Sequence, residues 1–132
     1  MKFPRLVALL AALSLSLGVV GGVAASTTEQ CQSQLTTLRA DTVASQSSFA
    51  NPKDVDGLVA KLDAAAAKLQ VEKNTDAVHK LVDFQTTLNA LASSPKPKVD
   101  AEVAQRLVQE AQAVIDCINA VGSEYCRERS LA

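Results

Sequence analysis

The sequence predicts an all-α fold, a small up-down helical bundle of three strong helices preceded by a weaker one. From residue 27 to residue 91 apolar side chains recur every three or four positions, which is the period of an amphipathic helix. No stretch shows the strict alternation of apolar and polar residues that is typical of a half-buried strand. The connections between the periodic segments are short, and short connections make consecutive helices antiparallel neighbours.

The first helix is predicted over residues 28–49, and its polar second half makes it the weak member of the bundle. Asn51-Pro52 ends it, and Asn51 or Asp54 then caps the second helix, whose Pro52 stands where a missing N–H does no harm. The alanines of residues 64–67 allow a neighbouring helix to approach closely. The predicted buried stripes are Cys31, Leu35, Leu38, Thr42, Ser45 and Phe49 on the first helix, and Val55, Leu58, Val59, Leu62, Ala65, Ala66 and Leu69 on the second.

A third helix is predicted after the polar connection formed by residues 72–74. Asn74 or Thr75 has the short polar side chain that caps a helix N-terminus, and we expect the helix to stop at Ser93. Its predicted apolar stripe consists of Ala77, Val78, Leu81, Phe84 or Gln85, Leu88 and Leu91.

The fourth helix follows a turn that the sequence marks clearly. Two prolines within residues 94–98 remove backbone donors and restrict the residues before them, so this stretch is predicted to be an exposed turn. Asp100 is the expected cap, and Gly122 is expected to end the helix before a charged C-terminal tail over residues 122–132. The predicted stripe is Val103, Leu107, Ala111, Val114, Ile115, Ile118 and Val121.

Residues 1–25 are predicted to be a secretory signal peptide. Lys2 and Arg5 precede an almost uninterrupted apolar run, and small residues suited to signal peptidase follow it. We expect cleavage between Ala25 and Ser26, which leaves residues 26–121 as a single helical bundle domain. A permanent membrane anchor is the weaker alternative, because the apolar run is short for a bilayer span and ends in glycines. The predicted location is therefore secreted or periplasmic.

Charge and composition narrow the classes of partner. Loss of Lys2 and Arg5 with the signal lowers the formal net charge from −1 to −3, which disfavours nucleic acid and anionic membrane surfaces. After signal removal the chain keeps three aromatic residues and no tryptophan, too few flat rings for an aromatic cage. We expect an unknown protein as partner, with no nucleic acid and no membrane association after cleavage.

Three stretches of the sequence carry a resemblance to a known family. The segment GLVAKLDAA at residues 57–65 precedes an AxxxLxxF pattern that begins at Ala77, and an AxxLxxxAxxVI pattern follows from Ala104. Together they resemble the FIMAH domain, a small helical module of secreted bacterial proteins that commonly stands beside hydrolases. The family often has glycine in the turn where this chain has Glu72-Lys73-Asn74. The resemblance spans about residues 35–118, and it implies a helical fold and an extracytoplasmic compartment but no catalytic residues.

Three cysteines are the one constellation with clear chemical content. In an antiparallel four-helix arrangement the start of the first helix and the end of the last lie at the same end of the bundle, so Cys31 can meet Cys117 or Cys126. We favour Cys31 with Cys117, because both lie on helical stripes, and Cys117 with Cys126 is the local alternative. The odd thiol is either unpaired or forms a disulfide-linked dimer through Cys126.

Metal binding and catalysis have weaker support. Asp76, His79 and Asp83 occupy positions i, i+3 and i+7 on one helix face, a spacing that can hold a metal ion, but a solvated charged face has the same pattern. No nucleophile stands with a base and no glycine-rich loop could hold a phosphate. We therefore predict a non-enzyme without a cofactor.

The functional prediction is a secreted or periplasmic, non-enzymatic helical binding and interaction module, accessory to secreted hydrolases. The groove between the second and third helices near Ala64–Ala67 is the expected binding surface. The alternatives are a periplasmic carrier of a small ligand or of a metal held by Asp76, His79 and Asp83, and an inhibitor of a secreted hydrolase.

Overall fold

The computed structural model describes residues 27–131, with side chains described over residues 27–123. The predicted signal peptide, its Ala25–Ser26 cleavage site and the side chain of Cys126 therefore lie outside the described part. The described chain is all-α and contains no strand, which confirms the predicted fold class. One turn of 3₁₀ helix, Gln46–Ser48, follows the first helix. The α-helices are α1 (Thr28–Ala44), α2 (Pro52–Gln70), α3 (Asn74–Ser93) and α4 (Ala101–Leu131).

The four helices pack as a ring. α1 contacts α2 and α4, and α3 contacts the same two helices from the opposite side. At one end of the bundle, the connection after α1 pairs with the connection before α4 through an isolated antiparallel bridge between Phe49 and Val99. Ala50 N donates to Lys98 O there at 2.8 Å. The α2–α3 connection lies at the other end, beside the start of α1 and Val121 of α4. This is the predicted up-down arrangement.

The core is a continuous apolar cluster drawn from all four helices and from both members of the Phe49–Val99 bridge. Most of the predicted stripe positions are buried, and Val59, Ala66, Val78, Leu91, Val103 and Val121 pack half-buried at its edge. Thr42 and Ser45 are the buried polar residues of the described chain, and both hydroxyls donate to a carbonyl one turn earlier in α1. Their hydrogen-bonding needs are thus met inside the core.

α1 is shorter than predicted. It begins with a capping box, in which Thr27 Oγ1 accepts from Gln30 N at 3.2 Å and Gln30 Oε1 accepts from Thr27 N at 3.1 Å. It ends at Ala44 rather than at Phe49, because the chain tightens into the 3₁₀ turn and then extends. Phe49 is buried as expected, yet it reaches the core from an extended residue.

Two of the predicted caps are confirmed. Asn51 Oδ1 accepts from Lys53 N at 3.0 Å and Pro52 is the first residue of α2. Asp100 Oδ1 accepts from Glu102 N at 3.0 Å at the start of α4. The predicted cap of α3 by Asn74 or Thr75 is wrong, because Lys73 holds the cap position and no side chain accepts there.

The α2–α3 turn explains why α3 lacks a side-chain cap. Lys73 N donates to Lys68 O at 2.9 Å and Glu72 N donates to Leu69 O at 3.1 Å, the two hydrogen bonds of a Schellman motif. Glu72 stands at the position that glycine usually fills and has φ of 60°. Lys73 is the only residue between this left-handed residue and Asn74, where α3 begins.

The predicted end of the last helix at Gly122 is wrong, because α4 continues to Leu131. A glycine inside a helix costs only about 1 kcal/mol relative to alanine, which does not by itself stop a helix. The following residues are rich in glutamate and arginine, which are good helix formers. None of the described helices is long and apolar enough to cross a membrane.

Candidate functional site

The first element of the site is a disulfide between Cys31 near the start of α1 and Cys117 in α4. Their Cα atoms are 5.6 Å apart, and the residues are 0% and 7% exposed. The preferred pairing is confirmed, and it rules out the local alternative in which Cys117 pairs with Cys126. The crosslink spans 86 positions of sequence and fixes how α1 lies against α4.

A groove of about 250 Å³ lies between α1 and α4. It begins at Ser33, next to the disulfide, and extends along α1 to Asp41. Its floor is apolar and comes from α4, whereas α1 supplies a rim of hydroxyl and amide groups. A pair of acidic side chains, one from each helix, stands in the same groove. The lining residues are Ser33, Gln34, Thr37 and Asp41 of α1, and Glu110, Ala113 and Val114 of α4.

Glu110 is the electrostatically unusual member of this groove. Partial burial raises its pKa most, a hydrogen bond with Asp41 and the negative charge of Asp41 raise it further, and Arg106 lowers it; the resulting pKa is about 7. Glu110 therefore carries a proton over much of the pH range in which an ordinary glutamate is ionised. Glu110 holds that proton where it hydrogen-bonds with Asp41 across the α1–α4 interface.

The positive charge of Arg106 is divided between two partners. Arg106 Nε lies 3.8 Å from Glu110 Oε1, which is a long ion pair. Arg106 Nη2 donates to Ser45 Oγ at 2.9 Å, and Ser45 Oγ donates to Asp41 O at 2.8 Å. When both carboxyl groups are ionised, the acidic pair is thus only partly neutralised by its own chain.

The alanines of residues 64–67, predicted to line a groove between the second and third helices, include two whose surroundings the structure shows. Ala65 is buried in the core, and Ala66 lines a small groove between α1 and α2. Arg39 and Asp63 cross that groove with an Nε–Oδ1 distance of 2.7 Å. Both side chains are about half exposed, so this ion pair contributes little to stability.

The candidate metal ligands are not brought together. Asp76, His79 and Asp83 are all exposed on α3, and the described residues contain no group of three histidine, cysteine or carboxylate side chains that could hold a metal ion. A rise of about 1.5 Å per residue separates Asp76 from Asp83 by about 10 Å along the helix, which is too far for one ion. His79 instead lines a shallow groove with Val78 and Ile118.

Sequence reasoning missed the pair of Asp41 and Glu110, although the signal was present. Each residue adjoins a core position, Thr42 or Ala111, on helices predicted to be neighbours. In an antiparallel pair joined at Cys31 and Cys117, residue 41 falls opposite Leu107, one helical turn from Glu110. The preferred disulfide pairing therefore already placed the two carboxyl groups within about one helical turn of each other.

Comparison with known proteins agrees with this architecture. The model of the FIMAH domain family matches residues 28–116, about two thirds of the 132-residue chain, which covers α1, α2, α3 and the first half of α4. The matched region contains Cys31 and both acidic residues of the groove, and it ends just before Cys117. Neither curated proteins nor solved structures show a significant match. The four-helix bundle described here thus belongs to the FIMAH domain family.

Proposed function

We propose that this FIMAH domain is an extracytoplasmic, non-enzymatic binding module that acts as an accessory to secreted hydrolases. The buried disulfide between Cys31 and Cys117 supports the compartment, because disulfides persist in oxidising environments. The signal-like pattern of residues 1–25 points the same way. The association with hydrolases rests on the family, because FIMAH domains commonly stand beside hydrolases or other catalytic domains in secreted bacterial proteins.

The α1–α4 groove is the observation that carries the binding role. Its floor of Ala113 and Val114 can accept the aliphatic part of a side chain, and Asp41 and Glu110 lie where that side chain would place its charged end. We expect a protein segment that presents a lysine or arginine. Its cation would take the place of the proton held by the pair, and would give the two ionised carboxyl groups the second counter-charge that Arg106, at 3.8 Å from Glu110 and shared with Ser45, does not provide.

The residue types in this groove favour binding over catalysis. The lining combines carboxylates with a serine, a threonine and a glutamine, and includes no histidine, cysteine or lysine. A hydroxyl nucleophile there would have only the carboxyl pair to activate it, and that pair already holds a proton. The groove therefore has the parts of a recognition surface.

Site-specific photocrosslinking tests the proposal. A benzophenone amino acid replaces Thr37 at the groove rim, or Asn89 on the exposed face of α3 as the control position. Each protein is irradiated in culture fluid of the native producer, and adducts are identified by mass spectrometry. We expect a secreted hydrolase to be captured at position 37 and not at position 89.

Charge variants then separate specific recognition from adventitious contact. Asp41→Asn should abolish the adduct at position 37. Glu102→Gln, which removes an exposed charge from α4 outside the groove, should leave the adduct intact. The purified hydrolase should bind the wild-type domain saturably and more weakly as salt rises. Equal capture at both positions, or capture that survives Asp41→Asn, would reject the groove as the binding surface.

A further inference from the structure

A closed ring of polar contacts crosses the interface between α1 and α4. The carboxyl of Glu110 bonds to that of Asp41, and Asp41 O accepts from Ser45 Oγ at 2.8 Å. Ser45 Oγ accepts from Arg106 Nη2 at 2.9 Å, and Arg106 Nε returns to Glu110 at 3.8 Å. Asp41 lies in the last turn of α1, Ser45 directly follows that helix, and Arg106 and Glu110 lie on α4, so the ring bridges the interface twice.

The charges in this ring do not balance unless one carboxyl is protonated. The ring contains two carboxyl groups and one guanidinium, and the groove lining takes no residue from α2 or α3. The nearest other cation on α1, Arg39, is bonded to Asp63 of α2. When both carboxyl groups are ionised, like charges therefore face each other across the interface with a single counter-charge between them.

We propose that this ring is a proton-operated latch, which holds the C-terminal half of α1 against α4 while Asp41 and Glu110 share a proton and loosens when the proton leaves. The disulfide keeps the N-terminal half of α1 in place, because Cys31 lies in the first turn of the helix and Asp41 in its last. Loosening is thus confined to the end of the bundle that holds Ser45 and the Phe49–Val99 bridge.

The pH range follows from the direction of the shift. The folded pKa of Glu110 is about 7, above its ordinary value of 4.5, so the folded state binds this proton more tightly than the unfolded state does. The contribution of the proton to the free energy of unfolding is complete at pH values below 4.5, the ordinary pKa of a glutamate. It is lost as the pH rises through about 7.

Hydrogen exchange of the mature, oxidised full chain tests the latch without any partner, so its failure leaves the proposed function standing. Protection of the backbone amides of residues 38–45, corrected for intrinsic exchange rates, is compared at about pH 5.5 and about pH 8, which bracket the transition. We expect protection to fall about tenfold in the wild type, less than a fully buried group would give, because the Glu110 side chain is 30% exposed.

Two variants on α4 distinguish the latch from a general effect of pH. Glu110→Gln keeps an amide donor for Asp41 at every pH, so its protection should change by less than about twofold. Glu102→Gln removes an exposed carboxylate from the same helix and should keep the wild-type fall. Wild-type protection that does not respond to pH, or identical responses of the two variants, would overturn the proposal.

A second measurement guards against a variant that fails to fold. The ¹³C shift of the Glu110 carboxyl group in the wild-type protein should titrate near neutrality, together with shifts of the Asp41 carboxyl group. A Glu110 that titrates at its ordinary value would overturn the latch on its own.

Discussion

Removal of the disulfide should cost this domain much of its stability. The perturbation is Cys31→Ala together with Cys117→Ala, in proteins that also carry Cys126→Ala so that thiol exchange cannot occur. The crosslink closes a loop of 86 positions, for which the loss of unfolded-chain entropy is worth about 4.5 kcal/mol. Domains of this size are stable by only about 5 to 15 kcal/mol in total.

The assay is thermal unfolding followed by circular dichroism at the helix band, with the Cys126→Ala single variant as the reference. For small domains 1 kcal/mol corresponds to a shift in Tm of roughly 4 to 8 °C, so the double replacement should lower Tm by at least about 20 °C. The reference protein, unfolded and refolded in reductant, should melt near the double variant, because both lack the crosslink.

Two results would refute this reasoning. A decrease in Tm of less than about 5 °C in the double variant would mean that the crosslink does not constrain the unfolded chain as its loop length requires. Cys31→Ser should lower Tm markedly under oxidising conditions and hardly at all under reducing ones. An equal decrease in both would mean that Cys31 acts through packing alone.

Three further predictions concern the turn, the core and export. Glu72→Gly should stabilise the domain by about 1 kcal/mol in urea unfolding, because glycine adopts the φ of 60° without strain, whereas Glu72→Ala should give no such gain. Leu107→Ala should cost about 2 to 5 kcal/mol because the residue is fully buried, and Val43→Ala, at a position 44% exposed, should change stability by less than about 0.5 kcal/mol. Intact-mass analysis of the exported protein should show a chain that begins at Ser26, and a mass that retains residues 1–25 would contradict the signal-peptide prediction.

Helix starts that depend on neighbouring residues could be predicted from the sequence. Asn51 and Asp100 cap α2 and α4 as expected, because a cap needs only a short polar side chain and the backbone two residues ahead. The cap of α3 was wrong because the Schellman motif around Glu72 already sets the chain direction into Asn74. The predicted end of the last helix at Gly122 was wrong, because a single weak helix former does not end a helix when the residues after it favour the helical conformation.

The candidate site shows a different limit. Topology allowed Cys31 to pair with Cys117 or Cys126, and the preference for Cys117, which the structure confirms, came from its place on a helical stripe. The contact of Asp41 with Glu110 depends on the register between the first and last helices, which hydrophobic periodicity does not fix and which the Cys31–Cys117 pairing fixes only to within about one helical turn. Periodicity assigns a residue to a face, whereas a polar pair across an interface requires knowing which turn of one helix meets which turn of the other.

α1 connects the disulfide with the carboxyl pair, and its weak sequence pattern explains why both are needed. Its surface shows little amphipathic contrast, and its last turns bury Thr42 and Ser45 where stronger helices bury leucine. Besides the burial of Leu35 and Leu38, it is held by a covalent bond at Cys31 and by polar contacts through Asp41 and Ser45. Apolar burial is insensitive to redox state and pH, whereas the disulfide responds to redox state and the carboxyl pair of Asp41 and Glu110 responds to pH. Because the disulfide limits how far α1 can separate from α4, a protein without it should lose protection in α1 more steeply with rising pH than the oxidised protein does.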